Sequence, residues 1–191
     1  MRRAGLAISF LLAACSSPRS EAAPAAHDRD QAPVTAASPK YPAPRPGPAV
    51  ILAPDGLVTG ARLLRFGIAR AEIEAAVAKA QGAALESGSS SECGAGTVDF
   101  TRYRDELQLT FQNGKFAGWT INGAASPLKT AKDIGIGSPR QSLDAAYPDV
   151  IVDDSSLGLL FSAGDLVGLL DQDGIEGIVT DIWAGTVCLV D

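Results

Sequence analysis

Histidine is almost missing from this 191-residue chain, whose single copy is His27. That residue falls in a proline-rich stretch, so the rest of the chain has none. Ser-His-Asp and Cys-His constellations therefore cannot be assembled there, nor can His-ligated zinc or haem sites. Cysteine is scarce too: Cys15, Cys93 and Cys188 are the three copies, and no C-x-x-C redox motif occurs. No apolar run approaches the about 20 residues that a membrane-crossing helix needs. Sixteen Lys and Arg stand against 22 Asp and Glu, without a basic cluster, and the net charge is −6. Such a chain has no electrostatic footprint for nucleic acid. These absences exclude most hydrolytic and nucleic-acid-directed functions.

What is present starts at the amino terminus, MRRAGLAISFLLAAC. Arg2 and Arg3 form a positive n-region, residues 4–12 a short apolar core, and Ala13 and Ala14 lead into Cys15. Leu12-Ala13-Ala14-Cys15 resembles the lipobox of bacterial lipoproteins. The resemblance implies that residues 1–14 are a signal peptide and that Cys15 becomes a lipidated first residue. Ser16 after the cysteine is similar to lipoproteins sent to an outer membrane, with the protein facing the periplasm. An ordinary secretory signal is the alternative. Losing Arg2 and Arg3 makes the remainder more acidic, so anionic headgroups repel it and the acyl chains must hold it. Each buried CH₂ contributes about 0.8 kcal/mol, and one chain alone anchors only marginally.

Residues 16–48 contain eight of the twelve prolines, much Ala and Ser, and few large apolar side chains. Such a stretch cannot bury enough surface to offset its ordering entropy. Residues 15–48 are therefore expected to be a lipidated cysteine followed by a disordered or polyproline-like tether. It would span about 30 Å as a coil and about 100 Å extended. A proline-rich docking motif is the other reading of this stretch. Residues 49–191 are compositionally globular and long enough for one core. Within them Cys93 and Cys188 form an even pair, so a disulfide is the default in an oxidising compartment. Closing that loop of nearly a hundred residues gives about 4.7 kcal/mol in the chain-entropy model. Two free buried thiols are the alternative.

The globular part repeats a pattern at an offset of 70 residues. Gly67, Arg70, Ile73, Glu74 and Ala75-Ala76 align without gaps with Gly137, Arg140, Leu143, Asp144 and Ala145-Ala146. Ile73, Ala76, Val77 and Ala80 form one apolar helical stripe. The second helix shows Leu143, Ala146 and Tyr147, with Ser138, Pro139 and Gln141 predicting a capping box and Pro148 a stop. Residues 97–103, 107–111 and 116–121 read as strands, as do 150–152, 157–161, 166–170 and 175–183. Asn113-Gly114 predicts a type I′ hairpin, and Asp173-Gly174 predicts one at the equivalent place. The expected fold class is α+β, with tandem helix-plus-antiparallel-meander repeats (about 61–124 and 128–191) packed as one domain.

The matching positions Gly67, Arg70, Ile73 and Gly137, Arg140, Leu143 resemble the helix start of small outer-membrane lipoproteins of the SmpA/OmlA family. Two such units in tandem are similar to the family of secreted β-lactamase inhibitory proteins. The first resemblance implies a scaffold beside barrel-assembly machinery, the second binding of an enzyme by a sheet face. This chain departs from the inhibitors in having one cysteine per half in place of a bridge within each repeat.

Other constellations have bland readings beside the functional ones. Asp171-Gln172-Asp173-Gly174 opens like a calcium loop, but Ile175 and Ile182 stand where ligands should, so a polar turn is expected. Asp153-Asp154 reads as a turn as well. Asp99, Asp105, Glu106, Asp153 and Asp171 could supply two carboxylates to a glycan hydrolase, though no spacing selects a pair. Residues 88–96 (GSSSECGAG) lack a phosphate-loop lysine and read as a flexible loop pinned by Cys93. Trp119 and Trp183 end equivalent strands and either form a binding platform or seal the core. The sequence thus predicts a lipid-anchored envelope module without cofactor or metal, held to the membrane through acyl chains on Cys15. It would act as a non-enzymatic scaffold toward an envelope protein. The alternatives are glycan or small-ligand binding by the sheet face, or carboxylate-based glycan hydrolysis.

Overall fold

The computed structural model describes residues 50–123 and 126–188. The signal segment, Cys15 and the tether with His27 lie outside the described residues. The amino-terminal part of the fold is a pair of tight hairpins: β1 (Val50–Ala53), β2 (Gly56–Thr59) and β3 (Arg62–Arg65). Pro54-Asp55 turns β1 into β2, because Ala53 pairs with Gly56. β8 (Lys129–Thr130) adds in parallel to β1, closing a four-stranded sheet ordered β3-β2-β1-β8.

An eight-stranded antiparallel sheet contains everything else that is extended. Its strands are β4 (Glu86–Ser90), β5 (Val98–Arg102), β6 (Leu107–Gln112), β7 (Lys115–Asn122), β9 (Ile151–Ser155), β10 (Gly158–Ala163), β11 (Leu166–Leu170) and β12 (Val179–Gly185). The order is β4-β5-β6-β7-β12-β11-β10-β9, so its two halves meet where β7 pairs with β12. Two helices complete the described residues, α1 (Arg70–Gln81) and α2 (Arg140–Ala146).

This corrects the expected fold class. Of the described residues, strand accounts for 47% and helix for 14%, in two large sheets, so the described fold is mainly β and not an α+β stack of helix-plus-meander repeats. Two segments caused the misreading. Residues 50–65 build three strands of a separate sheet that has no counterpart among the described residues of the second half, and residues 86–90 form an edge strand, β4, that takes in the first three residues of the stretch 88–96 expected to be a flexible loop. Serine and glycine have weak strand preference, but an edge strand needs only one satisfied ladder, and here β5 supplies it.

The helices follow their stripes. Ile73 and Val77 of α1 and Leu143 of α2 are fully buried in one apolar cluster. To that cluster the four-stranded sheet brings Leu52, Leu57 and Leu64, and the large sheet brings Leu109, Trp119, Ile121, Phe161 and Ile182. The capping box at α2 does not form. Ser138 Oγ instead accepts from the Gly135 N–H at 3.0 Å, and no side chain caps the helix.

Each helix is held by the same backbone arrangement. Gly67 N–H donates to Phe116 O at 2.7 Å and Arg70 N–H to Gly114 O at 2.9 Å. Gly137 N–H donates to Val179 O at 2.8 Å and Arg140 N–H to Gly177 O at 2.7 Å. Gly67 and Gly137 have φ of +92° and +80°, which excludes side-chain-bearing residues at little cost only for glycine. Asn113-Gly114 adopts φ of +51° and +71°, as a type I′ turn requires. Asp173-Gly174 does not close a two-residue hairpin: β11 and β12 are joined by a longer loop whose ends meet where Asp171 N–H donates to Ile178 O at 3.1 Å.

Candidate functional site

Among the described residues the large sheet has one face on the apolar cluster and one face without a helix. Strand alternation assigns the side chains. Trp119, Leu109 and Ile121 face the cluster, so their neighbours Thr110, Thr120 and Asn122 stand on the helix-free face. In β12, Ile182 and Ala184 are buried in the cluster, which puts Asp181 and Trp183 opposite. Cross-strand register then sets Trp183 beside Thr120 and Asp181 beside Asn122.

This helix-free face is a trough. A cavity of about 380 Å³ is bounded by Phe100, Arg102, Gln108, Thr110, Thr120, Asp181 and Trp183 from the sheet, with Leu157 and Cys188 reaching over it. Leu157 belongs to the turn between β9 and β10, while Phe100 sits on β5 at the other end of the strand order. Side chains from opposite ends can share one cavity only if the sheet curls strongly, as twisted sheets of many strands do. A second depression of about 320 Å³ shares the walls Arg102, Gln108 and Asn122 and extends to Tyr103, Glu106 and Leu85. The two depressions are thus neighbours, with these three residues between them.

Burial inside the trough is deep. Thr110, Thr120 and Trp183 are 1%, 3% and 6% exposed, and the two threonine hydroxyls have no hydrogen-bond partner. An unpartnered buried hydroxyl costs about 1–3 kcal/mol, and these two lie one strand apart in the floor of a ligand-sized cavity. Arg102 is engaged on both sides, donating from Nε to Gln108 Oε1 at 2.8 Å and from NH1 to Glu86 Oε2 at 3.3 Å. Its guanidinium carbon lies 5.6 Å from the Phe100 ring centroid. The charges lining the main cavity are thus Arg102, already paired, and Asp181.

Cys93 and Cys188 come together at one rim of the trough, 2.7 Å apart, as free thiols. Cys93 sits in the loop between β4 and β5, and its thiol donates to Val187 O at 3.8 Å. Burial pushes the Cys188 thiol up, and the hydrogen bond and proximity of Cys93 add to the shift.

The sequence-selected tryptophans separate. Trp119 is fully buried on the cluster side, and its indole N–H donates to Ala53 O at 2.9 Å, tying β7 to the end of β1. It cannot share a platform with Trp183, which lines the trough. The side chains that keep Trp183 company, Phe100, Gln108, Thr110 and Thr120, carried no motif. Only strand alternation from the buried Leu107-Leu109-Phe111 series could have pointed to Gln108 and Thr110.

The candidate carboxylates are dispersed. Asp99 is held by Arg70 at 3.4 Å and by Ser89. Asp105 lies 3.8 Å from Arg104. Asp171 Oδ1 accepts from Ile178 N–H at 2.8 Å, closing the β11–β12 loop. Asp153 is exposed on the edge strand β9, and Glu106 borders the second depression. Among the described residues no three of His, Cys, Asp and Glu stand together as metal ligands.

Arg70, shared by the two aligned segments as Arg70 and Arg140, has a structural role. Its guanidinium lies 4.7 Å from the Phe111 ring centroid and binds Glu74 at 2.9 Å and Thr101 at 3.0 Å. Thr101 in turn donates to Glu74 at 2.7 Å. This buried-edge network fastens α1 to β5. Arg140 repeats the pairing with Asp144 at 2.6 Å. Tyr103 packs nearby, and burial first, then the Glu74 charge, raise its hydroxyl to about 12.

No family model, curated protein or solved structure matches this chain.

Proposed function

We propose that this protein is a lipid-anchored module of the bacterial envelope that works by binding, without catalysis, and that its working surface is the trough on the helix-free sheet face. Two lines support the anchoring. The Leu12-Ala13-Ala14-Cys15 segment resembles a lipobox, and a proline-rich stretch of the length of a stalk separates it from the folded part. The resemblance to SmpA/OmlA lipoproteins points to the same location, an outer membrane with the head in the periplasm, and to a scaffold role beside envelope proteins.

The observation that carries the binding role is the trough itself. It is a cavity of ligand size whose floor holds two buried hydroxyls with no protein partner. Chemistry is less well supported, because Asp181 is the one carboxylate lining the main cavity, and carboxylate-based glycan cleavage needs two about 5–10 Å apart.

The test has two arms. Labelling cells with an alkyne-bearing fatty acid should tag the full chain, and Cys15→Ser should abolish both the tag and membrane fractionation. A photo-crosslinking amino acid at position 157, over the trough, should capture an envelope component that one at position 175, on an exposed loop elsewhere, does not. Labelling that persists in Cys15→Ser refutes the anchor. Equal capture from both positions refutes the trough as the working surface.

A further inference from the structure

We infer that the trough is a subsite for a neutral linear glycan, with Phe100 and the exposed edge of Trp183 packing on sugar rings and Gln108, Asn122, Thr110 and Thr120 bonding their hydroxyls. This rests on the reading of the trough as the working surface and names its ligand class.

Four features of the trough select that class. Its charges disfavour an anion, since Arg102 is held by Gln108 and Glu86 and Asp181 has no cation against it in the cavity lining. A polyanion would find no free cation and a carboxylate close by. Its lining is mixed, with hydroxyls and planar amides beside two aromatic rings, which suits a ligand whose rings have an apolar face and a polar rim. A lipid chain would leave the Thr110 and Thr120 hydroxyls unpartnered.

The floor strands β6, β7 and β12 are internal, so their backbone groups are already used in the ladder. An extended peptide therefore cannot bind there by adding a strand. Finally, the main cavity of about 380 Å³ borders the second depression along Arg102, Gln108 and Asn122. A cavity of that volume is at the small end of ligand sites and suits a short oligosaccharide.

The two buried hydroxyls are the most specific part of the argument. Thr110 and Thr120 stand on neighbouring strands of the trough floor, nine-tenths or more buried and unbonded. Thr120 stands opposite Gln108 and Thr110 opposite Gly118, so the two are diagonal neighbours, and each hydroxyl would be completed by its own sugar hydroxyl.

The experiment uses the full chain in detergent with chitotriose, cellotriose and maltotriose as neutral probes and trigalacturonate as the anionic one. Tryptophan fluorescence and heteronuclear NMR report binding. At least one neutral trisaccharide should saturate with an affinity at least tenfold tighter than trigalacturonate. The fluorescence change should disappear in Trp183→Phe, because Trp119 is on the other face. Asn122→Ala, at an exposed rim position that leaves folding intact, should weaken binding about threefold to tenfold, and Thr120→Val by a similar factor.

No saturable binding of any neutral probe by a folded chain overturns the glycan assignment. If position 157 still captures a specific envelope protein, the trough stands as a protein site and only the ligand class fails. If trigalacturonate binds as tightly as the neutral sugars, the charge argument is wrong and the assignment falls with it.

Discussion

Trp119 and Trp183 stand on adjacent strands but on opposite faces of one sheet, so the same change at each should have different consequences. Trp119→Phe removes an indole N–H from a fully buried site and leaves the Ala53 carbonyl, now 2.9 Å from that nitrogen, without its donor. The unpartnered carbonyl costs about 1–3 kcal/mol. The smaller ring also leaves a void of methyl size or more, at about 1 kcal/mol. Together these predict a loss of about 2–4 kcal/mol, or a fall in Tm of roughly 10 °C for a folded unit of this size. Trp183→Phe also trims a largely buried ring, but it breaks no hydrogen bond and the space it vacates borders the trough, so it should cost less, about 1 kcal/mol. Urea and thermal melts of the full chain, followed by circular dichroism, measure both. If Trp119→Phe costs under about 1 kcal/mol, the tie between β7 and β1 does not hold the two sheets together as argued. Equal losses from the two variants would refute the assignment of Trp183 to a solvent-accessible cavity.

Tyr103 should make stability fall in alkali. Its hydroxyl is raised from 10.0 to about 12 on folding, so the folded state retains the proton longer than the unfolded chain. The stabilisation is complete below pH 10 and disappears as pH rises toward 12, up to roughly 2–3 kcal/mol. Urea midpoints at pH 9 and pH 11.5 should show it, and Tyr103→Phe should lack that component. Glu106 has φ of +60°, so Glu106→Gly should stabilise by about 0.5–1 kcal/mol, and a lower Tm would count against strain at that turn. With Cys93 and Cys188 2.7 Å apart, non-reducing peptide mapping of protein oxidised by a small disulfide should link them. Their joint replacement by serine should then cost about 2–4 kcal/mol, whereas two alkylatable thiols after oxidation would oppose the pairing. Arg70→Met keeps much of the packing over Phe111 but loses the bonds to Glu74 and Thr101, and should cost about 1–3 kcal/mol in the same melts.

Local chemistry made several elements legible. The stripes of α1 and α2 and the Asn113-Gly114 turn depend on residues a few positions apart, and such short-range rules act on the chain by itself. The β4 strand was opaque for the complementary reason, because nothing in ESGSS favours extension until β5 offers a ladder. The capping box at Ser138 was a sound local pattern that lost to a bond with Gly135. Residues 50–65 were missed because short strands joined by tight turns give too few alternations to register.

By itself the sequence determined the apolar stripes of two helices, the Asn113-Gly114 turn, and that no histidine follows the proline-rich stretch behind a lipobox-like start. Only the tertiary structure decided the rest. The pairing of β7 with β12 brings together segments about 60 residues apart, and no local preference encodes such a register. That pairing put Trp119 in the core and Trp183 in the trough, and the curl of the sheet carried Leu157 over to Phe100. Which face of a strand meets the core is settled by the partner strand and the packed layers, and the candidate site depends on that choice.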